Sequence, residues 1–382
     1  MQYRTFPRIP DLPISVLGFG CMRLPVIGGD MTKIDDAQAI PLLHRAIDAG
    51  VNYVDTAYPY HGGESERFVA RALKGGYREK VQLATKLPTW LVQSEGDWER
   101  LLEEQLIKLE ADHIDFYLLH ALSTERWDTV KRLRGLKALE RAKADGRIRH
   151  FGFSFHDSLK SFKEIIDGYD WEFCQIQYNF LDQDYQAGAE GLAYAAARQV
   201  GVISMEPLRG GTLAVPQPEG VQAIWSRSQA QRPPADRALR WVWNHPEVVT
   251  ALSGMNADIQ LQENLAAAAE GLPGSLDSGE LALFEEVRQY YAARTAVPCT
   301  TCGYCTPCPH GVAIPEAFSS FNTGSMFGTW KASAWVYDNY VVRAGHGADQ
   351  CVECGDCEPK CPQQISIMTK LKEAHRALTA AI

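Results

Sequence analysis

Residues 51–66 read VNYVDTAYPYHGGESE. The run VNYVDTA is apolar and rich in β-branched and aromatic residues, which suits a buried strand. It carries Asp55 and ends at Ala57, and a Pro- and Gly-marked turn carrying Tyr60 follows. This is the pattern of one βα unit whose polar side chains gather at the strand's C-terminal end.

Seven further runs share the design. ISVLGFG ends at Gly20, VQLATKL at Leu87, IDFYLLHAL at Leu122, RHFGFSF at Phe155, FCQIQYN at Asn179, VGVISMEP at Pro207 and VVTALSGM at Met255. Amphipathic stretches lie between them, among them one from Glu95 to Glu110 and one from Glu125 to Asp145, the latter stopped by Gly146. Eight such units close a parallel (β/α)8 TIM barrel of the α/β class. An open doubly wound sheet is the competing architecture, but no G-x-G-x-x-G turn follows the first strand. After the seventh run, Arg209 to Pro234 is a Pro-, Gln- and Gly-rich excursion on the face where barrels build active sites. It reads equally as a cover for a ligand and as a surface insertion.

Past Pro273 the βα rhythm stops, and a helix is expected from about Leu276 to Thr295. The 382 residues therefore divide into a barrel over residues 1–290 and a smaller, mainly helical domain over residues 291–382. A hydrophobic fraction of 46% with 22% charged residues is that of an ordinary soluble chain, and no apolar stretch is long enough to span a membrane. The N-terminus lacks the basic head and apolar run of a secretory signal, so a cytoplasmic, reducing setting is expected, in which the cysteines are not disulfides. A net charge of −9 without a basic face argues against a nucleic-acid partner.

Eight of the ten cysteines fall in two runs, Cys299, Cys302, Cys305 and Cys308 before Pro309, and Cys351, Cys354, Cys357 and Cys361 before Pro362. The second run is C-x2-C-x2-C-x3-C-P, the bacterial ferredoxin ligand pattern, in which the last cysteine serves the other of two 4Fe–4S clusters. By that crossover Cys299, Cys302, Cys305 and Cys361 hold one cluster, and Cys351, Cys354, Cys357 and Cys308 the other. The first run is one residue shorter before its Cys-Pro. A pair of zinc sites is the alternative, since C-x2-C pairs also serve zinc. The aromatic-rich segment from His310 to Gln350 reads as a helical insert between the halves of a dicluster ferredoxin-like domain. Cys21 and Cys174 lie in apolar runs and read as small core hydrophobes.

In the barrel, Asp55, Tyr60, Lys86 and His120 stand at the ends of successive early strands and face one mouth. Reducing a carbonyl requires a proton donor, and a phenol of pKa about 10 needs a neighbouring cation to favour its phenolate. Lys86 is placed to be that cation, Asp55 to hold it charged and oriented, and His120 to hydrogen-bond the substrate oxygen beside Tyr60. Taken singly, each is also explained as a buried residue satisfied by backbone.

On these residues the chain resembles the aldo-keto reductases over about residues 14–270, and with its cysteine runs it is similar to the bacterial members that carry a ferredoxin-type tail. The resemblance extends to LGFGCMRLP and CQIQYNF. It implies a catalytic set of Asp55, Tyr60, Lys86 and His120, nicotinamide use, and reduction of a small carbonyl or oxidation of a sugar-like alcohol. It further implies that Gln175 and Ser154 hold the nicotinamide carboxamide, that Met205, Pro207 and Leu208 of VISMEPLRGG line the cofactor, and that Glu263 and Asn264 meet the adenine end. Phe155 replaces the family's usual Asn, Met205 its frequent stacking Tyr, and Gly254 or Met255 and Gln260 the Lys and Arg that grip a 2′-phosphate. NADH is therefore favoured over NADPH. Two other readings stay open: a ferredoxin-linked enzyme whose clusters exchange electrons with the barrel or with an electron-transfer protein, and a nicotinamide-binding sensor.

Overall fold

Each of the eight apolar runs forms a strand, and the strands close on one another. The computed structural model describes residues 1–299, 305–361 and 363–382. An antiparallel hairpin, β1 (Tyr3–Phe6) and β2 (Ile9–Ser15), precedes the barrel strands β3 (Leu17–Gly20), β4 (Tyr53–Asp55), β5 (Gln82–Leu87), β6 (Ile114–Leu122), β7 (Ile148–Phe155), β8 (Phe173–Gln177), β9 (Gly201–Met205) and β10 (Val248–Ser253). Strands β3 to β10 pair in parallel in chain order, and β10 returns to β3, so no edge is left open.

The hairpin was not foreseen from the sequence, and it plugs the N-terminal end of the barrel. Phe6, Ile9 and Ile14 pack with Tyr53, Phe116, Phe173, Ile203 and Val249, and the Phe6 ring lies 5.4 Å from that of Phe116 and 5.7 Å from that of Phe173. Gly201 makes room for it, since a Cβ there would stand 2.3 Å from the Phe6 ring. With that end filled by aromatic side chains, the opposite mouth is left for chemistry.

The expected helix from Glu95 to Glu110 is observed as Gly96–Leu109. The expected single helix from Glu125 to Asp145 is instead two, Thr124–Arg132 and Gly135–Ala144, broken at Arg134, whose φ is 53°. Packing decides the break. The Trp98 indole donates to Leu133 O at 2.8 Å, and a Cβ on Gly135 would lie 2.8 Å from the same ring.

The chain divides into two compact units. The first comprises Met1–Gln183, Ala187–Val215 and Arg232–Asp277; the second comprises Asp184–Gln186, Pro216–Gln231 and Ser278–Ile382. The middle of the excursion after β9 thus belongs to the second unit. It carries the helix Glu219–Trp225, whose Trp225 packs edge-on to Phe284 of the helix Ser278–Ala292.

The rest of the second unit is helical among its described residues, with helices Ile314–Phe327, Trp330–Tyr337 and Ile367–Thr379. Their buried faces meet around Phe318, Phe321, Tyr337, Ile367 and Leu371, and the side chains of Cys299, Cys305, Cys308, Cys351, Cys357 and Cys361 pack against that core. Two buried side chains pin the backbone ahead of each cysteine run. Asn322 accepts from Val297 N at 2.9 Å and donates to Val297 O at 2.8 Å, and the Tyr337 hydroxyl accepts from Ala348 N at 2.8 Å. Among the described residues no helix is long and apolar enough to cross a membrane.

Candidate active site

Asp55 closes β4, Lys86 lies in β5 and His120 in β6, while Tyr60 opens the short turn Tyr60–Gly63 beyond β4. Parallel pairing sets Asp55 opposite Ala84 and Lys86 opposite Leu118, which brings these strand ends level. Lys86 Nζ donates to Asp55 Oδ1 at 2.7 Å, to Thr56 O at 2.8 Å and to Tyr60 Oη at 3.4 Å. All three ammonium protons have acceptors, as a buried cation requires.

Burial lowers the affinity of Lys86 for its proton, but the charge of Asp55 and the Tyr60 oxygen outweigh it and hold the lysine above its ordinary pKa. Asp55 is raised, because its own burial exceeds the pull of Lys86. Tyr60 departs from the sequence expectation. Lys86 does draw the phenol down, but burial raises it more, so the phenol stands above its ordinary value and keeps its proton at neutral pH. His120 is held well below the ordinary histidine value, first by burial and then by the charges of Lys86, His156 and Arg126, and is therefore neutral. Its Nδ1 is buried with no hydrogen-bond partner among the described residues.

A bulge in β6 aims His120. The pairing with β7 slips between Leu119 and Leu122, and Ala121 sits at a φ of 51°. Three bonds hold the irregularity: Thr89 Oγ1 donates to His120 O at 2.8 Å, Ala121 N to Ser154 Oγ at 2.8 Å, and Arg126 Nη1 to Ala121 O at 2.6 Å. Ser154 therefore supports the histidine strand, a contact that its place in β7 did not announce.

Ser154 and Gln175 are register partners on β7 and β8, each 1% exposed. Among the described residues Gln175 Nε2 reaches only Met205 Sδ, at 3.6 Å, and its Oε1 is buried without a partner. Beyond Met205, Pro207 is buried and Leu208 half-buried in the turn after β9. At the far end, Glu263 is exposed on the helix Asp258–Ala269, while Asn264 is buried and donates to Ser253 Oγ at 2.8 Å. Met255 is 1% exposed, and the Gln260 side chain accepts from Asn256 N at 2.8 Å.

Several residues at this mouth escaped the sequence reading. Arg23 pairs with Glu206 at 2.9 Å, joining the turns after β3 and β9. Trp90 lies with its ring 5.0 Å from His120, and Arg126 stands 5.3 Å over Trp90. The available signal was their position a few residues beyond a strand that already carried a candidate.

In the second unit, Cys308 of the first run comes together with Cys351, Cys354 and Cys357 of the second around one cavity, which Cys305 also lines and which Val312, Ile314, Met368 and Leu371 make apolar. Among the described residues no three His, Cys, Asp or Glu side chains gather as a single-ion site. Thiolates spaced around an apolar wall are a donor set suited to an iron–sulfur cluster. Cys302 lies outside the described residues. Cys21 and Cys174 are fully buried, as expected of core residues.

The aldo/keto reductase family profile matches residues 16–275, and a 4Fe-4S dicluster domain profile matches residues 298–366. This chain is a member of the aldo/keto reductase family. It is 27% identical over 289 residues to the Uncharacterized oxidoreductase YqkF of Bacillus subtilis, covering 68% of this chain and 88% of that protein. It is also 27% identical over 302 residues to the NADH-specific methylglyoxal reductase of Escherichia coli, covering 67% and 90%. Among solved structures, the holo form of the aldo-keto reductase AKR11C1 from Bacillus halodurans superposes with a TM-score of 0.63 at 27% identity, over 75% of this chain and 96% of that one. The aldo/keto reductase described here is accordingly an NAD(P)H-dependent oxidoreductase with a 4Fe–4S dicluster domain.

Proposed function

We propose that this enzyme reduces a small carbonyl compound, or runs the reverse oxidation of an alcohol, at the mouth formed by Asp55, Tyr60, Lys86 and His120. The observation that carries the reading is the buried contact chain from Asp55 through Lys86 to a protonated Tyr60, with a neutral His120 alongside. Bound nicotinamide supplies or accepts the hydride. Tyr60 Oη gives its proton to the carbonyl oxygen, and Lys86 stabilises the phenolate left behind. Asp55 keeps Lys86 charged and fixes its direction. His120 orients the substrate oxygen without contributing charge.

The residues at the end of β7 and β8 suit a carboxamide: the buried, unpartnered Gln175 Oε1 is an acceptor that a carboxamide N–H satisfies, with Ser154 beside it. Met205, Pro207 and Leu208 then line the ring, and Glu263 and Asn264 serve the adenine end. Gly254 has no side chain, Met255 is buried and Gln260 is bonded to the backbone, so no cation from these positions meets a 2′-phosphate. Of the arginines in the excursion after β9, Arg227 pairs with Glu286 and Arg232 with Asp236. NADH is expected to bind at least as tightly as NADPH, a choice shared with the Escherichia coli relative named above. Titrating both nucleotides, then following NADH oxidation with methylglyoxal and a panel of aldehydes, ketones and sugars, tests both statements. A clear preference for NADPH defeats the first; no turnover of any carbonyl defeats the second.

Two 4Fe–4S clusters are proposed for the smaller domain, one on Cys299, Cys302, Cys305 and Cys361, the other on Cys351, Cys354, Cys357 and Cys308. The cavity that gathers Cys308 with three thiols of the other run supports the crossover. About eight iron and eight acid-labile sulfide per chain are expected, and Cys354→Ser is expected to remove roughly half of the iron. Stoichiometric zinc without sulfide, or unchanged iron in the variant, is the contrary result. Hydride moves two electrons and a cluster exchanges one, which favours a structural role. Cys354 is exposed, however, and that favours a second reading in which the cluster passes electrons to a partner protein. Substrate-dependent reoxidation of chemically reduced clusters, without nucleotide, would select it.

A further inference from the structure

The substrate end of the barrel mouth holds a cation that the hydride chemistry does not use. Arg126 lies in the first turn of the helix Thr124–Arg132, just beyond His120. Its Nη1 donates to Ala121 O at 2.6 Å, and its guanidinium stands 5.3 Å over the Trp90 ring. Trp90 is 41% exposed and its ring centroid is 5.0 Å from that of His120. Catalytic imidazole, indole and guanidinium therefore follow one another outward from the reaction centre.

Among the described residues no carboxylate forms an ion pair with Arg126, and its Nε and Nη2 have no hydrogen-bond partner. Other arginines of the barrel unit differ: Arg23 is paired with Glu206, and Arg147 with Asp145, Glu99 and Glu103. The acids near the mouth are engaged elsewhere. Asp55 is bound by Lys86, and Glu206, which reaches Tyr60 electrostatically, by Arg23. Half-burial draws the Arg126 guanidinium below its ordinary pKa, with the charge of Glu125 opposing only in part. A half-buried guanidinium with no ion-paired carboxylate is a place where an anionic ligand is favoured.

We infer that Arg126 and Trp90 form a carboxylate-binding end to the substrate site, so that the preferred substrate is a carbonyl compound carrying a carboxylate on a flat, apolar body. With Nη1 held by Ala121 O, the free Nε and Nη2 edge is the planar fork that matches two carboxylate oxygens. Trp90 supplies a face for the body between carboxylate and carbonyl, and His120, beyond the indole, receives the carbonyl. The same Arg126–Ala121 bond braces the β6 bulge, which ties recognition of the anion to the aim of His120.

The inference rests on the carbonyl-reduction reading, and its test separates the two. Binding of benzoate and of benzamide, its neutral near-isostere, is measured by calorimetry on the full chain with NAD+ present. In parallel, kcat/KM is measured with NADH for 3- and 4-carboxybenzaldehyde against benzaldehyde. The expected result is a preference for the carboxylate of about tenfold or more in each assay. Arg126→Met should lose that preference. Arg126→Gln, which retains a donor for Ala121 O, should lose it as well. A wild-type enzyme without the preference, or either variant that keeps it, overturns the inference. Should benzoate binding depend on Arg126 while no aldehyde is turned over, the carbonyl-reduction reading fails and the anion site stands.

Discussion

Tyr60→Phe is expected to lower aldehyde turnover about a thousandfold, within the range for loss of a general acid, while nucleotide affinity stays nearly unchanged. The substitution removes one oxygen, the one that Lys86 Nζ approaches at 3.4 Å, and leaves the ring under the ammonium, 4.9 Å from its centroid. Steady-state kinetics with nucleotide titration checks both halves, and wild-type turnover by the variant would mean that another group gives the proton. The pH profile of the wild type carries the same claim. Reduction needs the protonated phenol, which is present below its pKa and lost as pH rises through it. Because burial sets that pKa above the ordinary value of about 10, kcat/KM should hold level through neutrality and fall only in strong alkali. His120 is already neutral, so no step belongs near pH 6.5; a step there would contradict its burial.

Lys86→Met is expected to abolish turnover and also to destabilise the barrel by roughly 3–5 kcal/mol, the usual cost of breaking a buried ion pair on one side. Asp55 is then a buried carboxylate without its cation, and its second oxygen already has no partner. The folded-state pKa of Asp55 is raised by burial even beside the lysine, and removing Lys86 raises it further. A carboxylate whose folded pKa exceeds its unfolded value takes up protons on folding. The deficit of the variant should therefore be smallest in acid and grow as pH rises from about 4 through the folded pKa. Urea denaturation across that range measures it. The double substitution Lys86→Met with Asp55→Asn should recover much of the stability and none of the activity. An inactive single variant of wild-type stability would show that the pair is not buried as described.

The eight strands were legible because each is a short apolar run, and apolar periodicity is local. Asp55, Lys86 and His120 were legible for a related reason: each is a polar residue near the C-terminal end of an apolar run, the end at which barrels gather polar side chains, and Tyr60 follows directly in the turn beyond β4. The two cysteine runs were legible by spacing alone, since the ferredoxin pattern is defined by the intervals between cysteines. The hairpin plug escaped notice because its strands take their role from Phe6 filling space beside Phe116 and Phe173, residues more than a hundred positions away.

The same division runs through the site. From the sequence alone follow the barrel, its polar mouth and the thiolate-rich tail, since each depends on residue type and spacing within a few dozen positions. Tertiary structure decided the rest. The Tyr60 phenol is raised, not lowered, because burial by surrounding strands exceeds the attraction of one cation. The helix after β6 breaks at Arg134 because Trp98 requires the Leu133 carbonyl and a bare Gly135. Ser154 braces the His120 strand, and Arg126 meets Trp90, through contacts between segments that are remote in sequence. Desolvation and side-chain partnership are sums over everything packed nearby, and only the closed barrel specifies those neighbours.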